Sequence, residues 1–215
     1  MYATKEDIRR AAGNLLTCGF DGTSVTAELK EIMREVNPAG IILFARNVEE
    51  PAQVAELTRE LKMLRPDHPL ALSVDQEGGR VARIREPATE WPPMRVLGEI
   101  GDPELTRQVA IVIARELRAM GFDINYAPVL DVDSNPDNPV IGDRSFSPET
   151  HLCATLGAAF VAGMQSEGIG ACGKHFPGHG DTDVDSHLAL PRVSHDLDRL
   201  RKVEWPPFQA AINAG

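Results

Sequence analysis

Five short apolar runs, each closed by polar residues and followed by a stretch of helical length, constrain this chain more than any other feature. The runs fall at residues 15–20, 40–44, 70–74, 123–132 and 169–173. The stretches at 26–36, 51–64, 103–120, 150–167 and 196–214 read as helices, two of them opened by Pro51 and Pro103 at the favoured first-turn position. Asn37-Pro38 stops the first helix, and Pro206-Pro207 kinks or divides the last. Unbroken apolar character in a run such as Gly-Ile-Ile-Leu-Phe (40–44) marks a strand buried on both faces. Strand–helix alternation of this kind predicts a parallel sheet covered by helices. Asp21, Arg46, Asp75 and the Lys174-His175 pair follow such runs, and Asp131 stands at the end of one. A doubly wound sheet gathers its ligand groups near one switch point, whereas a barrel spreads them around the C-terminal ends of its strands. The predicted class is therefore α/β of the (β/α)8 TIM-barrel type, with about five βα units in residues 1–215 and one domain.

Composition narrows the function. The chain has 215 residues and a net charge of −10, which argues against binding a phosphate backbone, so no nucleic-acid partner is expected. No apolar run approaches the ~20 residues that span a bilayer, and residues 1–10 hold no apolar signal core. A cytoplasmic protein without a membrane partner is the expectation. Cys18, Cys153 and Cys172 are odd in number and lack metal-motif spacing, so each is expected as a reduced core thiol.

Three segments carry chemistry. Residues 174–187, Lys-His-Phe-Pro-Gly-His-Gly-Asp-Thr-Asp-Val-Asp-Ser-His, hold one lysine, three histidines and three aspartates in fourteen positions. A core strand does not tolerate so many ionisable groups. A solvated loop, a metal site and an acid/base loop built on an Asp185–His187 dyad all fit; the histidine spacing matches none of the usual zinc patterns. Residues 75–85 place Asp75 at a strand end, where a carboxylate can accept from two sugar hydroxyls or simply cap a turn. Arg80, Arg83 and Arg85 follow. Residues 141–146 bring Arg144 out of a long polar loop, where it could pair with Asp143 or Asp131.

Taken in order, Val-Asp-Gln-Glu-Gly-Gly-Arg-Val-Ala-Arg-Ile-Arg, Ala-Pro-Val-Leu-Asp-Val, Ile-Gly-Asp-Arg-Ser-Phe and the 174–187 motif resemble the family 3 glycoside hydrolases of the β-N-acetylglucosaminidase type, the NagZ-like β-hexosaminidases. The resemblance covers residues 40–187. It implies that Asp75, Arg83, Arg144, Lys174 and His175 bind a terminal N-acetylglucosamine. His187 would be the general acid/base, supported by Asp185, with no metal and no cofactor. Such a histidine departs from the carboxylate pair of most retaining glycosidases, but an imidazole can give and take a proton near neutrality.

The implied activity is retaining exo-β-N-acetylglucosaminidase action on muropeptide or chitooligosaccharide substrates, with peptidoglycan recycling as a candidate setting. A phosphorylase of the same family and a non-catalytic sugar-binding fragment are the alternatives. The family's nucleophile is an aspartate on a later strand, and residues 1–215 read as five of eight units, inactive alone. Open sheet edges in such a portion would favour self-association.

Overall fold

Helices in this chain begin where the sequence supplies a cap or a proline. The computed structural model describes residues 4–65, 68–184, 188 and 190–215. Thr4 opens α1 (Lys5–Gly13) with a reciprocal box: its hydroxyl accepts from the Asp7 amide at 3.1 Å, and the Asp7 carboxylate accepts from the Thr4 amide at 2.8 Å. This helix is unannounced in the sequence, because residues 4–10 are polar except for Ile8 and carry no apolar period. Thr26 caps α2 (Ala27–Val36), which ends at Asn37 in the left-handed region with φ 50°. Pro51 opens α3 (Pro51–Met63). A second unexpected helix, α4 (Met94–Ile100), lies between the predicted strand 70–74 and the predicted helix 103–120 and closes on Gly101. Asp102 caps α5 (Pro103–Ala119), accepting from the Glu104 and Leu105 amides. The apolar α6 (Thr150–Ser166) follows, and the proline pair divides the last stretch into α7 (Leu197–Lys202) and α8 (Pro206–Ala214).

The strands are β1 (Thr17–Cys18), β2 (Gly40–Leu43), β3 (Ala71–Val74), β4 (Ile124–Asn125) and β5 (Gly170–Ala171). They pair in parallel in the order β1-β2-β3-β4-β5. A doubly wound sheet reverses its order at a switch point; this one never does, which is the arrangement of a barrel wall. The chain is thus α/β, five βα units of a TIM-barrel-like fold. Ile41, Leu43, Leu72 and Val74 are buried and tie the central strands to α3 and α5 through Val54, Leu57, Leu61, Ile113 and Leu117. Truncating such a leucine to alanine costs about 2–5 kcal/mol.

Two expectations are corrected. The predicted strand 123–132 forms a ladder only at 124–125. Pro128 has no amide to donate, and beyond it the chain keeps one parallel bridge, Val129 to Lys174. Of the cysteines, Cys153 is buried and Cys18 half-buried, but Cys172 is exposed, just past the end of β5, which pairs on one side to β4.

Candidate active site

The C-terminal ends of β3, β4 and β5 are drawn together by side chains that the sequence places immediately beyond each strand. After β3, the Gln76 side chain turns the chain: its Oε1 accepts from the Arg83 and Ile84 amides at 2.8 and 3.1 Å, and its Nε2 donates to Ile84 O at 2.8 Å. Asn125 on β4 exchanges two hydrogen bonds with the Gln76 backbone, both at 2.9 Å. After β5, the Leu130 amide donates to Lys174 O at 2.7 Å and the Lys174 amide to Pro128 O at 3.1 Å. Gly180 packs so closely on the segment after β4 that a β-carbon there would lie 1.7 Å from Val132 O. No larger residue fits without moving the loop.

These supports assemble one connected network of charge. Lys174 Nζ lies 2.6 Å from Asp75 Oδ1 and 2.6 Å from Glu77 Oε1. Arg144 binds Glu77 in the bidentate manner, Nε to Oε2 and Nη2 to Oε1, both at 2.8 Å. Arg83 Nη2 approaches Asp75 Oδ2 at 3.8 Å. His175 Nδ1 lies 2.6 Å from Asp131 Oδ2, and its Nε2 is 3.4 Å from Arg144 Nη2. Burial pushes the Glu77 carboxyl up, but Arg144 and Lys174 outweigh it and hold the group below the usual carboxylate range. Burial likewise works against the Arg144 cation, and Glu77 more than restores it.

The structure therefore brings Asp75, Arg83, Arg144, Lys174 and His175 into one cluster spanning three strand ends. The surface pairing offered for Arg144 is not what forms: Asp143 instead lies 3.8 Å from Arg80, and Arg144 turns inward to Glu77. His187 and Asp185 lie outside the described residues. Among the described residues no group of three or more His, Cys, Asp or Glu side chains converges as a metal site would.

Two members were not singled out as site residues by sequence reasoning. Glu77, with a side chain 2% exposed, is shared by both cations. Asp131, 0% exposed, accepts from the His175 and His179 amides as well as from the imidazole. A signal was present: three cations against the single carboxylate Asp75 is an imbalance that a half-buried site does not sustain. A second acid–histidine contact, Asp181 with His195, joins residues on either side of the 182–194 segment, and Ser134 donates to the same aspartate at 3.1 Å.

The model of the glycosyl hydrolase family 3 N terminal domain matches residues 8–215, and the chain belongs to that family. It is 43% identical over 194 residues to a beta-hexosaminidase of Pseudomonas aeruginosa, an alignment covering 90% of this chain and 58% of that protein. Among solved structures, it is similar to a glycoside hydrolase family 3 beta-N-acetylglucosaminidase from a Paenibacillus species, with TM-score 0.94 and 44% identity over 97% of this chain and 40% of that one. It also resembles NagZ from Neisseria gonorrhoeae in complex with zinc ion, with TM-score 0.87 and 38% identity over 93% and 60% of the two chains. The chain spans somewhat over half the length of the curated relative it matches.

Proposed function

We propose that this chain is the N-terminal barrel portion of a retaining exo-β-N-acetylglucosaminidase and supplies its sugar pocket. One observation carries the proposal: the five residues assigned to that pocket by resemblance join a single network at the C-terminal ends of neighbouring parallel strands, the face where barrel enzymes act. The donors Lys174 and Arg83 and the acceptor Asp75 offer a hydroxyl-rich ring both kinds of partner. His187, supported by Asp185, protonates the leaving oxygen and then takes a proton from water. Muropeptides and chitooligosaccharides are the substrate classes, and wall recycling in the cytoplasm is the setting. No helix of the described residues is long and apolar enough to cross a membrane.

The nucleophile comes from outside the cluster. Asp131 is enclosed and engaged by three N–H groups, Glu77 is buried between two cations, and Asp75 is held by Lys174. Each carboxylate is already bound by a cation or N–H groups of the cluster. Among the described residues β1 and β5 are the outer strands of the sheet, each paired on one side, which also makes self-association of residues 1–215 an expected behaviour.

The test is release of N-acetylglucosamine from an aryl β-N-acetylglucosaminide by the full-length protein, with the matching glucoside as control. It is run in phosphate and in non-coordinating buffer, with chelator and with added zinc. Hydrolysis with retained configuration, unchanged by chelator, is expected. A preference for the glucoside, a phosphorylated sugar product or dependence on zinc would each overturn part of the proposal.

A further inference from the structure

We infer that Asp131 is a positioning residue that holds His175 in the Nδ1–H tautomer, so that Nε2 presents a lone pair to a substrate hydroxyl; the hydroxyl, though not the tautomer, rests on the proposed sugar pocket. Two neighbours on different sides of the imidazole impose the same proton placement. On one side is a carboxylate oxygen, Asp131 Oδ2, 2.6 Å from Nδ1. A carboxylate accepts only, so the proton of that contact sits on Nδ1. On the other side is Arg144 Nη2, 3.4 Å from Nε2. A guanidinium donates only, so Nε2 must carry the lone pair. The opposite tautomer would set acceptor against acceptor at Asp131 and donor against donor at Arg144. The imidazolium would keep the first contact and spoil the second.

Neither neighbour can withdraw to relieve the mismatch. Arg144 is fixed by its two bonds to Glu77, with Nη1 also donating to Val140 O at 3.2 Å. Asp131 is 0% exposed and is anchored by the His175 amide at 3.1 and 3.2 Å and the His179 amide at 2.7 Å. The parallel bridge between Val129 and Lys174 sets the register that brings the two residues side by side. The His175 side chain keeps 34% of its surface exposed, so a ligand can reach the ring. A hydroxyl arriving at Nε2 donates into the same single lone pair, outcompeting the long 3.4 Å contact of Arg144, whose two bonds to Glu77 stay in place, while Lys174 and Arg83 donate to the oxygens nearby. The pocket then holds an acceptor, Nε2, that would become a donor if the tautomer flipped.

The experiment is a two-bond proton–nitrogen correlation spectrum of the full-length protein labelled with nitrogen-15, with His175 assigned by its loss in His175→Gln. At neutral pH the expected pattern has the proton on Nδ1 and a bare Nε2. Added N-acetylglucosamine should move the Nε2 resonance more than the Nδ1 resonance. In Asp131→Asn the amide oxygen can still take the backbone N–H groups, but its NH2 now faces Nδ1. The His175 proton should shift to Nε2, and kcat/KM should fall about 10–100-fold, the size of loss seen when the hydrogen-bond partner that orients a metal-bound histidine is removed. The loss should appear mainly as a higher KM, because the missing contact is already made to bound substrate.

A wild-type spectrum with the proton on Nε2 overturns the inference. So does a folded Asp131→Asn protein with unchanged tautomer or unchanged kcat/KM. Should that variant fail to fold, the wild-type spectrum decides alone. A protein with the expected tautomer but no glycosidase activity would sink the functional proposal and leave the tautomer assignment standing.

Discussion

At the N-terminal end of the sheet, the buried guanidinium of Arg65 meets Asn14 Oδ1, Pro38 O and Asn37 Oδ1 at 2.6, 2.6 and 2.7 Å. At the C-terminal end, Lys174 meets two carboxylates, one of them shared with Arg144. Arg65 spends its donors on neutral oxygens around the end of α2, where the helix dipole already favours a cation. Its contacts are one-to-one and join helix ends to strand starts. The C-terminal cluster is different in kind. Its members share partners, so a carboxylate can give up one contact to a sugar hydroxyl without becoming an unpaired buried charge. The N-terminal arrangement holds the fold; the C-terminal one holds a shape that can still exchange hydrogen bonds with a ligand.

The contrast can be broken most severely at the proposed acid/base. In the full-length protein, His187→Ala should lower turnover by about 10²–10⁴-fold, the span of general acid/base catalysis. An aryl glycoside with a good leaving group needs less protonation, so its glycosylation step should lose less. Equal losses across leaving groups would remove His187 from the acid role. Arg65→Met offers the complementary result: a lower melting temperature with kcat/KM unchanged in the protein that remains folded.

Glu77 gives the next effect in size. Replacing it by Gln leaves Arg144 and Lys174 with a neutral partner in a buried site, and breaking such a pair costs about 3–5 kcal/mol. The same group sets a pH dependence. Its carboxyl is held below its ordinary range in the folded chain. The stabilisation is therefore complete above the unfolded value of about 4.3 and is lost as pH falls toward the folded value. Thermal midpoints recorded from pH 7 downward should drop less steeply in Glu77→Gln than in the wild type. Parallel slopes would show that the pairing energy of Glu77 lies elsewhere.

What the sequence disclosed follows the same division. Strands β2 and β3 were legible because their runs are almost wholly apolar, broken only by Ser73, with Ile41, Leu43, Leu72 and Val74 buried. The span 123–132 was misread as one strand because apolar character continues past the ladder; burial of Val129, Leu130 and Val132 persists where pairing does not. The helix α4 was hidden by its shortness and by Gly98, which sits where a β-carbon would lie 1.6 Å from Phe146 O. In the site, residues at strand ends were readable one by one, Asp75 and Lys174 among them. Their mutual contacts were not, since a residue pair separated by 99 positions leaves no local trace. Glu77 escaped for that reason: its role is defined by Arg144, 67 positions away.

The smallest effect belongs to a pair that superficially matches the site. Lys62 Nζ lies 2.8 Å from Asp123 Oδ1 at the N-terminal end of the sheet, a distance close to those around Lys174. Distance alone would rank the two alike. Their surroundings do not: the Lys62 and Asp123 side chains are 38% and 42% exposed, against 15% and 18% for Lys174 and Asp75. Water competes for the first pair, and exposed pairs contribute about 0.2–1 kcal/mol. Asp123 also keeps a second task, accepting from the Leu72 amide at 2.8 Å, which survives loss of the lysine. Lys62→Met should therefore shift the denaturation midpoint only slightly, and salt should erase most of the difference. Asp123→Ala should cost more, because the Leu72 amide at the start of the β3–β4 ladder loses its side-chain acceptor. A Lys62→Met loss as large as that of Glu77→Gln would mean that charge at both ends of the sheet is coupled to the fold in the same way, and the distinction between the two ends would fail.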